Sequence, residues 1–320
     1  MKRLNTPYAR FIFPAFIVCL ILFQDIKAQQ DAQYTQYMFN GLVLNPAYAG
    51  SRDALSATAI GRTQWVGQQI EGAPRTASLS VHSPVGKHVG LGLWGQIDEI
   101  GPHNKIDVFG SYAYTLNFDG GLRLALGIQA GIQSYNSEYT KVETTVYDPR
   151  LSEDFNKILP NFGAGAYLYN TKFYLGLSVP HLLNNEIQPN STGGADTLNN
   201  KLAHQYRHYF LTGGLILALS ESIDFRPSFL LKYVPSVAPL SADFNVSFLL
   251  KKVLWLGASY RNFDSVDFLV EIQATPQLRI GYAYDYTLSK LQNVNTGSHE
   301  VMIGLDIDKG NQKIVTPRYF

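Results

Sequence analysis

The stretch Leu122-Arg123-Leu124-Ala125-Leu126-Gly127-Ile128-Gln129-Ala130-Gly131-Ile132 alternates between two kinds of residue. Its even-numbered positions are apolar, and its odd-numbered positions are small or polar. Successive side chains of a β-strand point to opposite faces, so this period of two predicts a strand with one apolar face. A strand that crosses a bilayer at a tilt needs about 9 to 11 residues, and this stretch has that length.

The same alternation recurs along the chain, and turn-forming residues separate the repeats. We predict about 14 strands, near residues 54–64, 75–83, 89–98, 105–116, 121–133, 160–169, 172–180, 205–219, 223–233, 241–250, 253–261, 266–274, 277–286 and 298–308. Tight turns alternate with longer loops, which is typical of bacterial outer-membrane barrels with short periplasmic turns. The fold predicted for residues 53–308 is therefore all-β, a transmembrane antiparallel up-and-down β-barrel. Pro227 lies inside one predicted strand, where we expect a bulge.

The composition favours a membrane barrel over a soluble β-sandwich. Charged residues make up 16% of the chain and aromatic residues 13%, whereas charged residues are about 25% of a soluble globular chain. The second strand face carries small or polar residues and would line a lumen, while the apolar face would contact lipid. Tyrosines near the predicted strand ends suit interfacial aromatic girdles. They are Tyr112, Tyr114, Tyr167, Tyr169, Tyr282, Tyr284 and Tyr286.

The N-terminus is predicted to be a cleaved signal peptide at residues 1–28. Basic residues precede an apolar core at residues 11–23, and Ala28 offers a small-residue exit. That core is shorter than the roughly 20 residues of a membrane-spanning helix. Cys19 is the only cysteine, so a chain beginning at Gln29 has no thiol. Removal of the segment leaves 22 basic and 24 acidic residues, a net charge of −2 that gives no indication of nucleic-acid binding.

A barrel of about 14 strands is roughly 28 Å across between backbones. The small residues on the second face cannot fill a lumen of that width. We therefore expect the lumen to be plugged or to conduct. The candidates for a plug are the N-terminal segment at residues 29–52, which lies in the lumen or the periplasm, the two long loops, and the C-terminal tail at residues 309–320.

Two N-terminal motifs and the end of the chain resemble a known family. The motifs are Gln33-Tyr34-Thr35-Gln36-Tyr37-Met38-Phe39-Asn40, Asn45-Pro46-Ala47-Tyr48-Ala49-Gly50 and Pro317-Arg318-Tyr319-Phe320. In their order and spacing they resemble the PorP/SprF family of outer-membrane proteins, which belong to the type IX secretion and gliding machinery of Bacteroidetes. The resemblance implies an outer-membrane barrel whose partners are the translocon and periplasmic components. It also implies that the barrel receives or anchors secreted cargo, often adhesins, through the cargo's C-terminal domain.

The candidate partner-binding residues lie in these motifs and on the lumen face. They are Tyr37, Asn45, Pro46, Tyr48, Arg123, Arg279, Arg318, Tyr319 and Phe320. For the N-terminal motifs the alternative is a turn with aromatic residues packed in the barrel mouth. Several charges are expected to face inward, and they could either hold a partner segment by charge-assisted hydrogen bonds or pair with one another. These charges are Arg123, Arg226, Asp243, Glu271, Arg279 and Asp285.

The sequence shows no catalytic, cofactor or metal motif, and we expect a protein without enzymatic activity. His204 and His208 have a spacing of four, but they fall in a predicted loop and strand rather than on one helix face. We expect both to be solvated. Two other function classes remain open, a passive or hydrophobic-solute channel and, more distantly, an outer-membrane hydrolase. A hydrolase would need a nucleophile and base near the outer rim.

Overall fold

A computed structural model describes residues 31–67, 70–141, 154–187, 205–235, 238–262 and 264–307. Within them the chain forms one antiparallel sheet. Its strands are β1 (Leu55–Thr63), β2 (Arg75–Val85), β3 (Val89–Ile100), β4 (His103–Asn117), β5 (Arg123–Ser137), β6 (Phe155–Tyr169), β7 (Phe173–Val179), β8 (Tyr209–Leu215), β9 (Leu217–Ser220), β10 (Ile223–Val234), β11 (Ala238–Leu250), β12 (Leu254–Arg261), β13 (Ser265–Gln273), β14 (Leu278–Thr287) and β15 (Ser298–Ile307).

The sheet closes into a barrel. Strands adjacent in the chain pair with each other, and β15 pairs with β1 in a register that sets Ala59 opposite Ile303. Strands β8 and β9 both pair with β10 and follow one another along a single line. The ring therefore has 14 strand positions, which confirms the predicted fold class. None of the helices in the described ranges has the length and apolar character to span a bilayer.

The strand bounds follow the predicted ones closely, with two informative differences. Strands β5 and β6 extend further into the long-loop side than predicted, to Ser137 and from Phe155. On β5 polar residues continue the hairpin ladder, so the apolar alternation ends before the strand does. On β6 the added residues include exposed Ile158, which continues the apolar face. The predicted strand at 205–219 begins at Tyr209 instead and is interrupted at Ile216.

The interruption at Ile216 explains how the barrel tolerates Pro227. The bulge expected at Pro227 is absent from its pairing with β11, where Pro227 lies in regular register opposite Val246. On its other side, Ser228 pairs with Gly214 and Phe225 pairs with Leu217, which sets Pro227 beside the break between β8 and β9. A proline has no N–H to donate, and the neighbouring strand is interrupted at that point.

The two faces of the wall differ as the alternation predicts. Outward Ile128 is 63% exposed, whereas inward Gln129 is 3% exposed. Tyr112 and Tyr282 are exposed on the outside. The girdle prediction was wrong for Tyr167 and Tyr169, which are buried. They share the odd-numbered parity of the lumen-facing glycines of β6, so they point inward.

The two ends of the barrel are distinguished by their connections. All the connections at one end are short, such as those from β2 to β3, β4 to β5, β6 to β7 and β9 to β10, whereas the longest connections, from β1 to β2, β5 to β6, β7 to β8 and β14 to β15, lie at the other end. Strand β1 begins at the same end where β15 finishes. Short turns face the periplasm in bacterial outer-membrane barrels. We call this end the periplasmic end and the opposite one the outer end.

Candidate functional site

Residues 31–52 fill the lumen, and we call this segment the plug. Three one-turn helices, Tyr37–Phe39, Gly41–Leu44 and Pro46–Tyr48, fold it into a compact chain. Its aromatic and aliphatic side chains are almost completely buried against the lumen wall. Small and polar residues on much of the lumen wall leave room for the plug, which supplies apolar bulk to the lumen.

At the outer end, the plug is bound through its backbone. The Glu300 carboxylate accepts hydrogen bonds from the backbone N–H groups of Thr35 at 2.9 Å and Gln36 at 2.8 Å. Arg62 donates to the Thr35 hydroxyl at 2.7 Å and pairs with Glu300 at 3.2 Å. The Thr35 hydroxyl donates to Asp285 at 2.7 Å, and Arg62 pairs with that carboxylate at 2.7 Å. Because hydrogen bonds to charged groups are the strong ones, these contacts form the main outer anchor.

A second set of charges holds the first described residue of the plug. The Asp31 carboxylate lies 2.9 Å from His208 Nδ1, 3.5 Å from His181 Nδ1 and 3.4 Å from Lys105 Nζ. The prediction that His208 is solvated was therefore wrong, since His208 is 2% exposed. Its buried position follows from its contact with the plug. His204 lies outside the described residues.

The middle of the plug contacts the lumen wall mainly through close packing. The ring of Phe39 meets Trp255 edge-on, with centroids 5.1 Å apart. Ser80 donates a hydrogen bond to the Asn40 side chain at 2.6 Å. A Cβ added to Gly127 would lie 2.2 Å from the backbone nitrogen of Ala47, so only a glycine lets the plug approach β5 this closely.

At the periplasmic end, the plug is anchored by polar side chains. Pro46 begins a one-turn helix, and the Asn45 side chain caps it by accepting from the Ala47 N–H at 2.9 Å. The same side chain donates to the Ala166 carbonyl of β6 at 3.0 Å. Arg52 then pairs with Asp306 at 3.4 Å, where the plug leaves the lumen.

The structure therefore brings four predicted partner-binding residues together inside the plug. Tyr37, Asn45, Pro46 and Tyr48 are all buried against the lumen wall or other plug residues. Tyr48 packs edge-on against Tyr167, with centroids 5.4 Å apart. In this state these residues contact the protein's own barrel.

The other candidates lie apart from this group. Arg279 is buried in the wall, where it pairs with Asp306 at 3.4 Å and Glu271 at 3.6 Å. Arg123 lies at the periplasmic mouth, with 36% of its side chain exposed, and pairs with Asp53 at 2.7 Å. The remaining three, Arg318, Tyr319 and Phe320, lie outside the described residues.

The remaining inward charges contact groups within the chain. Asp243 pairs with Arg261 at 3.0 Å. Arg226 pairs with Asp224 at 3.2 Å and lies over the Trp255 ring, 4.3 Å from its centroid. These contacts match the arrangement in which lumen charges pair with one another.

Sequence reasoning did not single out Asp31, Arg62 or Glu300 as functional residues. The two-residue alternation of β1 and β15 indicates that Arg62 and Glu300 face the lumen. It does not indicate that both bind Thr35, which lies 27 residues from Arg62 and 265 residues from Glu300 in the chain. Only the closed barrel brings Thr35, Arg62 and Glu300 together.

The chemistry of the lumen is that of peptide binding. Carboxylates hold backbone amides, small residues accept close backbone approach, and aromatic pockets hold aromatic side chains. Across the described ranges, no three His, Cys, Asp or Glu side chains are grouped so that they could hold a metal ion.

Solved structures similar to the chain include a Pseudomonas aeruginosa FadL homologue, the CymD monoaromatic hydrocarbon channel and Acinetobacter baumannii Omp33. The FadL homologue is 13% identical with a TM-score of 0.46, covering 84% of this chain and 92% of its own. CymD is 10% identical with a TM-score of 0.49, covering 83% and 91%. Omp33 is 8% identical with a TM-score of 0.44, covering 80% and 99%.

No curated protein matches the sequence significantly. A family model does match it, at residues 26–305. That model describes a type IX secretion system membrane protein, PorP/SprF.

Proposed function

The chain belongs to the PorP/SprF family of type IX secretion system membrane proteins and is an outer-membrane component of that system, and we propose that it receives or anchors specific secreted cargo through the cargo's C-terminal domain. Family membership carries this proposal. The partners that follow from it are outer-membrane lipid, the cargo domain, the translocon and periplasmic components.

The filled lumen supports anchoring over transport. A segment that runs from the outer anchor to Arg52 occupies the space that a passive or hydrophobic-solute channel would keep open. Cargo would therefore bind at an end of the barrel rather than pass through it. The same geometry suits a role without enzymatic activity, because the lumen presents packed aromatic residues and paired charges.

Among the described residues of the predicted partner-binding set, Arg123 is the accessible one. It borders a groove of about 480 Å³ at the periplasmic mouth, which Lys87, Phe118 and Tyr169 also line. Lys87 and Phe118 are exposed. Lys87 and Arg123 can donate charge-assisted hydrogen bonds to a polypeptide, in a groove where Arg123 also pairs with Asp53. The exposed Phe118 ring offers apolar contact.

The proposal also assigns a role to each segment of the chain. Residues 1–28 would be removed on export, residues 29–52 would form the N-terminal segment that contains the plug, residues 53–308 the barrel, and residues 309–320 a C-terminal tail. Arg318, Tyr319 and Phe320 in that tail stay candidates for contact with periplasmic components.

Deletion of the chain from its native cells tests the function. We expect secreted proteins with the matching C-terminal domain to be lost from the cell surface, and the full chain should restore them. If deletion leaves surface proteins unchanged but slows uptake of small solutes, the channel function is correct instead.

Substitution of Arg123 tests the proposed groove. Arg123→Gln is expected to lower the surface-retained fraction of cargo, while folding changes little because half-exposed ion pairs contribute about 0 to 1 kcal/mol. Arg75→Gln is the matched control, since Arg75 is exposed at the opposite end of the barrel. Equal retention in both variants would remove Arg123 from the proposal.

A further inference from the structure

A groove lies on the outer flank of the barrel, at the end opposite to the Arg123 groove. It has a volume of about 450 Å³ and is lined by residues of the β1–β2 loop, by the adjoining ends of β1, β2 and β3, and by the β3–β4 turn. Thr63, Arg75 and Glu99 belong to the outward-facing rows of β1, β2 and β3. The groove therefore opens beside the lipid face and not into the lumen.

The loop that forms the groove is bonded to neighbouring loops on both sides. On one side, the Val66 N–H donates to the Gly297 carbonyl at 2.8 Å, and the Thr296 N–H donates to the Val66 carbonyl at 2.6 Å. On the other side, the Gly101 N–H donates to the Gly72 carbonyl at 2.9 Å. These bonds occupy main-chain groups with which an added peptide strand could otherwise pair. The groove is therefore preformed, as ligand sites usually are, and it offers side chains for binding.

Trp65 lines this groove in a backbone conformation that is rare for a bulky residue. Its φ is 49°, in the left-handed region where a side chain of this size costs free energy. The Trp65 N–H donates to the Ser298 hydroxyl at 3.1 Å, which helps to hold the conformation. The other two tryptophans, Trp94 and Trp255, are 2% and 6% exposed, whereas Trp65 is only partly buried. The fold therefore keeps a strained, accessible indole at the groove.

The polar side chains around Trp65 are free to bind a ligand. The carboxylates of Glu71 and Glu99 and the amide of Gln64 line the groove, and within the described residues none of these three side chains has a hydrogen bond or ion pair. Arg75, opposite Glu99 in the strand register, balances one of the two negative charges. An indole ring can stack on the apolar C–H face of a sugar ring, while carboxylates and amides bind its hydroxyl groups. The groove thus suits a neutral sugar better than an anion, which the two carboxylates would repel.

We propose that this groove binds the neutral sugar headgroup of a glycolipid in the outer leaflet. The position of the groove supports a lipid-linked sugar, because exposed apolar residues continue down the same outward rows, with Ile97 below Glu99 and Leu79 below Arg75. Acyl chains would contact these residues while the sugar fills the groove. The site is separate from the Arg123 groove and does not depend on cargo binding.

Tryptophan fluorescence tests the site directly, since Trp65 is the accessible tryptophan. The chain beginning at Gln29 is placed in phosphatidylcholine nanodiscs, with or without the glycolipid fraction extracted from the outer membrane of its native cells. We expect the glycolipid to lower the acrylamide quenching constant of Trp65 roughly threefold or more, because a bound ligand is largely buried in its site. Equal quenching with and without glycolipid would overturn the proposal. Equal protection by the water-soluble sugar released from that glycolipid would assign the groove to a free saccharide and overturn a lipid-linked one.

Substitutions separate sugar binding from folding of the loop. Trp65→Asn removes the ring but keeps a residue type that tolerates the left-handed region, so the barrel should keep its heat-resistant mobility on gels. This variant should bind the glycolipid roughly tenfold more weakly, read as the amount that stays bound through gel filtration in detergent. Glu71→Gln combined with Glu99→Gln should weaken binding by a similar factor, whereas the matched control Glu221→Gln, an exposed carboxylate in the β9–β10 turn, should not. If Trp65→Asn and the double variant bind as tightly as the parent chain, the groove is not the site.

Discussion

Replacing Glu300 by glutamine is expected to loosen the plug without unfolding the barrel. Glu300 is fully buried and accepts hydrogen bonds from two backbone N–H groups, those of Thr35 and Gln36. Glutamine has the same shape but one acceptor oxygen, and its amide group is a donor. At least one plug N–H would therefore lose its partner.

The expected cost follows from these contacts. A hydrogen bond to a charged group contributes about 1.5 to 3 kcal/mol, and a buried donor left unpaired costs about 1 to 3 kcal/mol. Arg62 keeps Asp285 as a partner at 2.7 Å, so its charge is not left alone. We expect about 3 kcal/mol, which raises the population of the open plug roughly a hundredfold.

A single thiol in the plug measures that population. Val43 is 8% exposed, and Val43→Cys in a chain that begins at Gln29 places its only thiol there. When the plug closes faster than the thiol reacts, the rate of maleimide labelling is proportional to the open population. Glu300→Gln should raise that rate roughly a hundredfold.

The control is Asp98→Asn, which alters another buried lumen carboxylate. The Asp98 carboxylate accepts a hydrogen bond from the Thr76 hydroxyl of the neighbouring strand at 2.6 Å, outside the outer anchor. The variant should change labelling by less than about threefold, as expected for an independent site. If Glu300→Gln labels no faster than Asp98→Asn, the outer anchor does not hold the plug.

Three further perturbations test other parts of the fold. Gly127→Val should prevent Ala47 from seating against β5, so periplasmic protease should cleave the plug of this variant and spare the parent chain. Ile128→Lys puts a charge on the lipid face and should destabilise the barrel by about 2 to 4 kcal/mol in urea unfolding in lipid vesicles, and an unchanged midpoint would contradict the assigned faces. Phe39→Ala removes the ring that packs on Trp255 and should cost about 3 to 5 kcal/mol of plug stability, read as faster labelling of the Val43→Cys thiol.

The wall of the barrel could be predicted from sequence because its signal is local. Each strand shows its own two-residue alternation, so Ile128 and Gln129 reveal their faces without knowledge of any other strand. The predicted number of strands was correct for the same reason.

The content of the lumen could not be predicted in the same way. Nothing in the sequence near Thr35 indicates that Glu300 and Arg62 bind it, because the contact forms only when β15 meets β1. His208 was placed in solvent since its partner, Asp31, is remote in the chain. The alternation along β6 predicts that Tyr167 and Tyr169 face the lumen, as they do. Their position near a strand end favoured an aromatic girdle instead.

The plug also changes how the predicted partner-binding residues should be tested. Tyr37 and Tyr48 are plug residues that pack inside the lumen. Substituting them would disturb the packing of the plug, so any effect on partner binding would be indirect. Arg123 is accessible in the same structure. Experiments on partners should therefore begin at the periplasmic end.

Planar-bilayer conductance tests the central claim that the protein's own N-terminal segment closes the lumen. The intact chain beginning at Gln29 should insert and stay electrically silent, and Glu300→Gln should show brief, large openings as the plug leaves its anchor. Steady conductance from the intact chain, equal to that of a chain lacking residues 31–48, would contradict a closed lumen.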